Sequence, residues 1–176
     1  NEYRDLLKRV QDALALSFVR MATRHGSWGS DLHEYHNEQH ALELLNGRLA
    51  RVRLQLGWRA LDMREWLLLA LFATCHDLRQ REAADFWHDI GANERASIAE
   101  AFRVLDQVGF SRQRDREFYV CLGLMIAGST FDARPSAPNP FNTAEVASSG
   151  GSLAPKLVAE ISAGLSPEQL DARTGR

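Results

Sequence analysis

The sequence predicts an all-α protein, a bundle of at least five helices around one buried central helix. Three observations predict it. Apolar residues recur at three- and four-residue steps over most of the first 130 positions. No stretch carries the alternating pattern of a strand, and no internal repeat appears. One segment, "MREWLLLALFATC" from Met63, is apolar nearly all round, as a helix enclosed by others must be.

In chain order, Leu6, Leu7, Val10, Ala13, Leu14, Phe18 and Met21 give a first amphipathic helix ending near Gly26. After a Gly/Ser/Trp loop, Ala41, Leu44, Leu45, Leu49, Val52 and Leu56 continue a second, with Gly57 as its stop. Asp62 and Glu65 form a D-x-x-E capping box that starts the central helix. Residues 79–91 lose the period and read as a loop. "ANERASIAEAFRVLDQVG" is a fourth helix with Ile98, Ala101, Phe102, Leu105 and Val108 inward and Gly109 as its stop. Ser111 is placed to cap a fifth, carrying Phe118, Cys121, Leu122, Met125 and Ile126. From Asp132 the texture changes: every proline and a Ser-Ser-Gly-Gly run fall between 133 and 167. Residues 1–132 therefore form the helical domain. Residues 133–176 read as a Pro/Gly/Ser-rich segment with short helices around 153–163 and 167–172, packed on or extending that domain.

With 176 residues, 45% of them hydrophobic, the chain supports one domain with a sizeable core. A net charge of −2 offers no basic field for a nucleic-acid polymer, whereas a small anionic ligand needs only local charge. Cys75 and Cys121 sit inside apolar runs and read as buried free thiols in a reducing compartment. The longest apolar run, Trp66 to Cys75, is too short to span a bilayer, and the charged first residues do not resemble a signal peptide. These points lead to an expectation of a cytoplasmic protein without a membrane partner. The missing initiator Met is what a piece of a longer protein would show.

Three of the six histidines fall in "DLHEYHNEQHALELL". His25 and His33 lack patterned neighbours and read as solvated or hydrogen-bonded residues. His40 lies four before Leu44 and nine before Leu49, so the helix turns it inward, and His36 shares that face if the helix reaches back to it. Two inward imidazoles need either satisfied hydrogen bonds or a shared ligand. His76 and Asp77 end the apolar helix, where an imidazole and a carboxylate leaving the core are costly without a partner. A divalent cation would supply one. A second His-Asp pair, His88-Asp89, sits in a polar loop where water solvates both. Glu94 continues the inward stripe 105, 102, 98, 94, either as an ordinary first-turn acid that suits the helix dipole or as a functional carboxylate.

"YHNEQHALEL", "ALFATCHDL" and "GANERASIAEAFRVL" together resemble the HD-superfamily metal-dependent phosphohydrolases, especially small bacterial members with YHN-x-x-H, HD and NE-x-x-S-A in that order. The YHN-x-x-H wording is also that of cyclic-nucleotide phosphodiesterases. The likeness covers residues 35 to about 132 and implies an HD-domain helical bundle. It implies that His40, His76 and Asp77 are metal ligands and that the Asp of the HD pair can bridge two ions. His36 matches the phosphodiesterase histidine that protonates the leaving group. Asn93 and Glu94 match a polar pair near the site, in which the glutamate binds a water at the metal. The family's last aspartate has no matching "ADL"-like run: Asp132, where the fifth helix ends, is the stand-in, Asp171 is the alternative, or the ligand lies beyond residue 176 or is missing.

The implied activity is hydrolysis of a phosphate ester or phosphodiester, on a nucleotide or other small phosphorylated metabolite, by metal-activated water. The donor set suits one or two ions of Mn, Fe, Co, Zn or Mg. Arg79, Arg81 and Asn93 are the candidates for binding substrate, with Arg95 a further cation, although each arginine taken alone reads as a solvated surface residue. Two other classes stay open: a non-catalytic HD-fold metal- or ligand-binding regulatory module, and a helical interaction domain with structural histidines. Homo-oligomerisation is compatible with either.

Overall fold

Asp62 and Glu65 open the helix around which the fold is arranged. The Asp62 carboxylate accepts from the Glu65 amide at 2.9 Å and the Glu65 carboxylate accepts from the Asp62 amide at 2.8 Å, which completes the capping box. The structure, a computed structural model, describes residues 2–80 and 91–129. Among them are five helices and no strand: α1 (Glu2–Arg24), α2 (38–56), α3 (Met63–Cys75), α4 (Ala92–Gln107) and α5 (Arg116–Gly128). The all-α bundle is thus the observed architecture, and α3 touches every other helix. No helix among the described residues is long and apolar enough to cross a membrane. Arg81, His88-Asp89, Asp132, Asp171 and the 133–176 segment with its two expected short helices lie outside the described residues.

The core joins Leu6, Val10 and Met21 of α1 to Leu68 and Leu71 of α3, Val104 and Leu105 of α4, and Leu122 and Ile126 of α5. Each such fully buried side chain contributes about 1.5–3 kcal/mol relative to exposure. Ser17 interrupts the apolar stripe of α1, and its hydroxyl lies 3.3 Å from the Cys75 thiol at the centre of the bundle. Burial pushes the Cys75 thiol up, so it stays neutral. Both cysteines are free, as expected, but Cys121 is only half-buried.

Helix α2 departs from its expected stripe. It begins as an α-helix at Glu38–Glu43, passes through a π-helical turn at Leu44–Leu49, and resumes at Ala50–Leu56. Ala41 is buried, but Val52, Leu54 and Leu56 are exposed. A π turn takes in one extra residue, which rotates everything after it by roughly 100°. That rotation moves Val52 and Leu56 off the core face that a constant period assigns to them. Gly57 stops the helix as expected, at φ 83°, a conformation that a side chain would strain.

Ser111 does not cap α5. Its hydroxyl accepts from the Arg114 amide at 3.3 Å within a separate turn, and the helix starts after Asp115. Asp115 instead gathers Arg9, Arg114 and the Ser111 amide around one carboxylate oxygen, at 2.7, 2.7 and 2.8 Å. This ties the start of α5 to α1.

Candidate metal centre

Asn37 places the first histidines. Its side-chain oxygen accepts from the amides of Gln39 and His40 at 2.9 and 3.3 Å, capping α2, while its amide nitrogen donates to the carbonyls of His33 and Glu34. His40 therefore lies in the first turn of α2, facing inward and only 7% exposed. His36 lies outside the helix, one residue before the cap. The expected helical i, i+4 pairing of His36 with His40 is replaced by a bend that leaves their rings edge-on, with centroids 6.3 Å apart.

His76 caps the C-terminus of α3, and Asp77 follows it, buried. The Phe72 carbonyl lies 3.1 Å from His76 Nδ1. A carbonyl can only accept, so Nδ1 carries the proton and Nε2 of the neutral ring presents a lone pair. That Nε2 lies 2.9 Å from Oδ2 of Asp77. Nδ1 of His36 lies 3.0 Å from the same oxygen, and Nε2 of His40 lies 3.6 Å from it. Three imidazole nitrogens from two separate segments thus surround one carboxylate oxygen. The other oxygen, Oδ1, accepts from the side-chain amide of Gln80 at 2.7 Å.

Burial alone would raise the Asp77 carboxyl, but His36 and His76, which donate to it and add positive charge when the nitrogens facing it carry protons, more than reverse this and hold Asp77 well below the usual carboxylate range. His40 moves the opposite way from a cation. Burial pushes its ring towards the neutral form, Asp77 opposes this, and His76 and His36 add to it. Among the described residues Nδ1 of His40 is buried without a hydrogen-bond partner, and Nε2 lies 3.6 Å from Asp77 Oδ2, too far for a hydrogen bond. A cation between His40, His76 and Asp77 would take the Nε2 lone pair of His40 and separate the His76 lone pair from the Asp77 oxygen. One donor atom from each of the three lies within 4.8 Å of the others, and the His40 and His76 rings are inclined by 57°, so their planes converge. These residues can hold a metal ion.

Glu94 sits in the first turn of α4, half-buried. Burial pushes its carboxyl up and the charge of Asp77 adds to this, against its own backbone amide, Arg95 and His76. Its carboxyl feels the charge of both Asp77 and His76. Asn93 is half-buried one residue earlier. Arg79 lies beside Glu100, 3.5 Å from a carboxylate that also pairs with Arg20 and Arg103. Its guanidinium thus helps neutralise a buried acid, a different engagement from the substrate contact expected of it. Arg81 and Asp132 lie outside the described residues.

Of the two readings of His25 and His33, solvated or hydrogen-bonded, the second is the one observed. His25 is 1% exposed and stacks on His33 at 4.2 Å, and Asp31 lies 3.5 and 3.1 Å from one nitrogen of each ring. Their donor atoms are close enough to suggest a second ion site. The ring planes are inclined by only 25°, however, and planes so nearly parallel meet far beyond any coordination bond. The pair instead fixes the loop: the His33 amide donates to the His25 carbonyl at 2.9 Å, and the Gln80 amide lies 3.5 Å from His25 Nε2.

Asn37 and Gln80 were not among the expected site residues. The Asn37 cap had a readable signal, an Asn directly before an apolar-periodic run. Gln80 had none, since its role depends on how the chain turns after Asp77. The chain matches no family model, no curated protein and no solved structure.

Proposed function

We propose that this chain is a metal-dependent phosphohydrolase of the HD-superfamily type, acting on a phosphate ester or phosphodiester of a small metabolite, with nucleotides the first class to test. The observation that supports the reading is the convergence of donor atoms of His40, His76 and Asp77 within 4.8 Å of one another, largely shielded from water. His40, His76 and Asp77 would hold the ion. When bound, a divalent ion supplies Lewis-acid polarisation of a phosphoryl oxygen and a lowered pKa for water.

The remaining steps belong to the chain's own groups. His36 is held through Nδ1 by Asp77, at 3.0 Å, which leaves Nε2 on a one-third-exposed ring to hand a proton to a departing oxygen. Glu94, whose carboxyl is raised, is suited to orient the attacking water through a hydrogen bond. Arg95, exposed beside Glu94 at the start of α4, is the further cation proposed for substrate charge.

Metal analysis of the protein as purified, followed by a phosphate-ester panel with that metal added, tests the reading. Bound transition metal and turnover of at least one ester are expected. Bound metal without turnover of any ester would leave the ligand-binding module, and no metal affinity at all would overturn the reading entirely.

A further inference from the structure

Asp77 has two oxygens, and they are used differently. Oδ2 is surrounded by the nitrogens of His36, His40 and His76. Oδ1 is taken by the Gln80 side-chain amide at 2.7 Å, the closest polar contact of Asp77 among the described residues. An aspartate that joins two ions usually gives one oxygen to each, and an N–H pointed at Oδ1 opposes a cation there by both position and partial charge. Oδ2 already has three imidazole nitrogens within 3.6 Å.

Gln80 is also fixed in place. It is 7% exposed, and its own backbone amide lies 3.5 Å from His25 Nε2. His25 is stacked on His33, whose carbonyl accepts from the Asn37 side chain at 2.7 Å. The same Asn37 caps the helix that carries His40. The loop histidines therefore support the centre from behind.

We infer that Gln80 is a positioning residue that restricts the centre to a single metal ion, by occupying Oδ1 of Asp77 so that only Oδ2 serves as a ligand. This rests on the reading of His40, His76 and Asp77 as metal ligands and adds to it the number of ions and the residue that sets it.

Titration of the full chain with Mn²⁺, followed by metal analysis and electron paramagnetic resonance, tests the inference without recourse to activity. The wild type should bind one equivalent and show the hyperfine pattern of an isolated Mn²⁺ ion. Gln80→Glu replaces the donor with an acceptor and should gain a second equivalent with an exchange-coupled spectrum. If that variant does not fold, as circular dichroism would show, Gln80→Leu decides. Without the donor both Asp77 oxygens become available, so the Mn²⁺ spectrum should change, whereas a purely structural Gln80 would alter stability and leave it alone. Two coupled ions in the wild type, or an unchanged spectrum and stoichiometry in the folded variants, would overturn the inference and leave the metal site standing. A wild type that binds no Mn²⁺ would remove the site on which the inference rests.

Discussion

Nε2 of His76 lies 2.9 Å from Oδ2 of Asp77, while Nδ1 of the same ring lies 3.1 Å from the Phe72 carbonyl. A neutral imidazole has one proton, and the carbonyl takes it. Two lone pairs then face each other at hydrogen-bond distance unless the ring gains a proton or a cation comes between them. The helix end thus fixes the tautomer and aims the ring, the work that a carboxylate or carbonyl partner does for histidines at metal sites.

The ligand assignment is checked by metal affinity. His40→Ala, His76→Ala and Asp77→Ala should each weaken Mn²⁺ or Zn²⁺ binding by more than about 100-fold, above the 10–100-fold typical of residues that only support a ligand. Calorimetric titration measures it. His33→Ala should stay within about 100-fold of wild type, because its ring is in the stacked pair and not in the centre.

His36 separates binding from proton transfer. His36→Ala should keep its metal and lose turnover by roughly 10²- to 10⁴-fold on a substrate with a poor leaving group. The loss should shrink for a nitrophenyl ester, whose oxygen departs without a proton. Equal losses on both substrates would make His36 a residue that only orients Asp77.

Among the described residues Glu100 is the buried acid with the most arginine partners. It is 6% exposed and pairs with Arg20, Arg79 and Arg103. Glu100→Ala leaves partly buried guanidinium groups facing one another and should destabilise the fold by about 3–5 kcal/mol. Arg103→Ala, at an exposed position, should cost at most about 1 kcal/mol. Urea denaturation of both variants gives the comparison.

Asp115 sets an acid-stability window. Burial raises its carboxyl, but hydrogen bonds from Arg114, the Ser111 amide and Arg9 outweigh this and hold it at about 2. A folded-state pKa below that of the unfolded chain, about 4, stabilises the fold above pH 4, and this contribution is lost as the pH falls through 2. Between pH 4 and pH 2 the wild type should therefore lose about 2 kcal/mol more stability than Asp115→Asn. Equal acid sensitivity in the two proteins would show that Asp115 is not the responsible group.

Helix existence was legible because it depends on periodicity and caps, which are local. The Asp62–Glu65 box and the Gly57 stop appear where the residues imply them. The exposed end of α2 was not legible, since a π turn resets the period and no residue type announces one. In the site, His40, His76 and Asp77 could be read because each lies on or at the end of an apolar helix. His36 could be placed near them only through a bend outside the helix. The His25–His33 stack and Gln80 depend on a loop folding back over the end of α3, and such long-range geometry leaves no pattern in neighbouring residues.

The enclosed Cys75 thiol has a practical consequence. It is fully buried, one residue before His76, at the end of the helix that carries the candidate ligands. A maleimide can reach it only when α3 parts from α1, so its alkylation rate is a clock for the opening of that helix. The half-buried Cys121 thiol, which burial pushes up to about 11, is followed alongside it as the second thiol of the chain. The chain therefore carries its own label for following how often the candidate site comes apart.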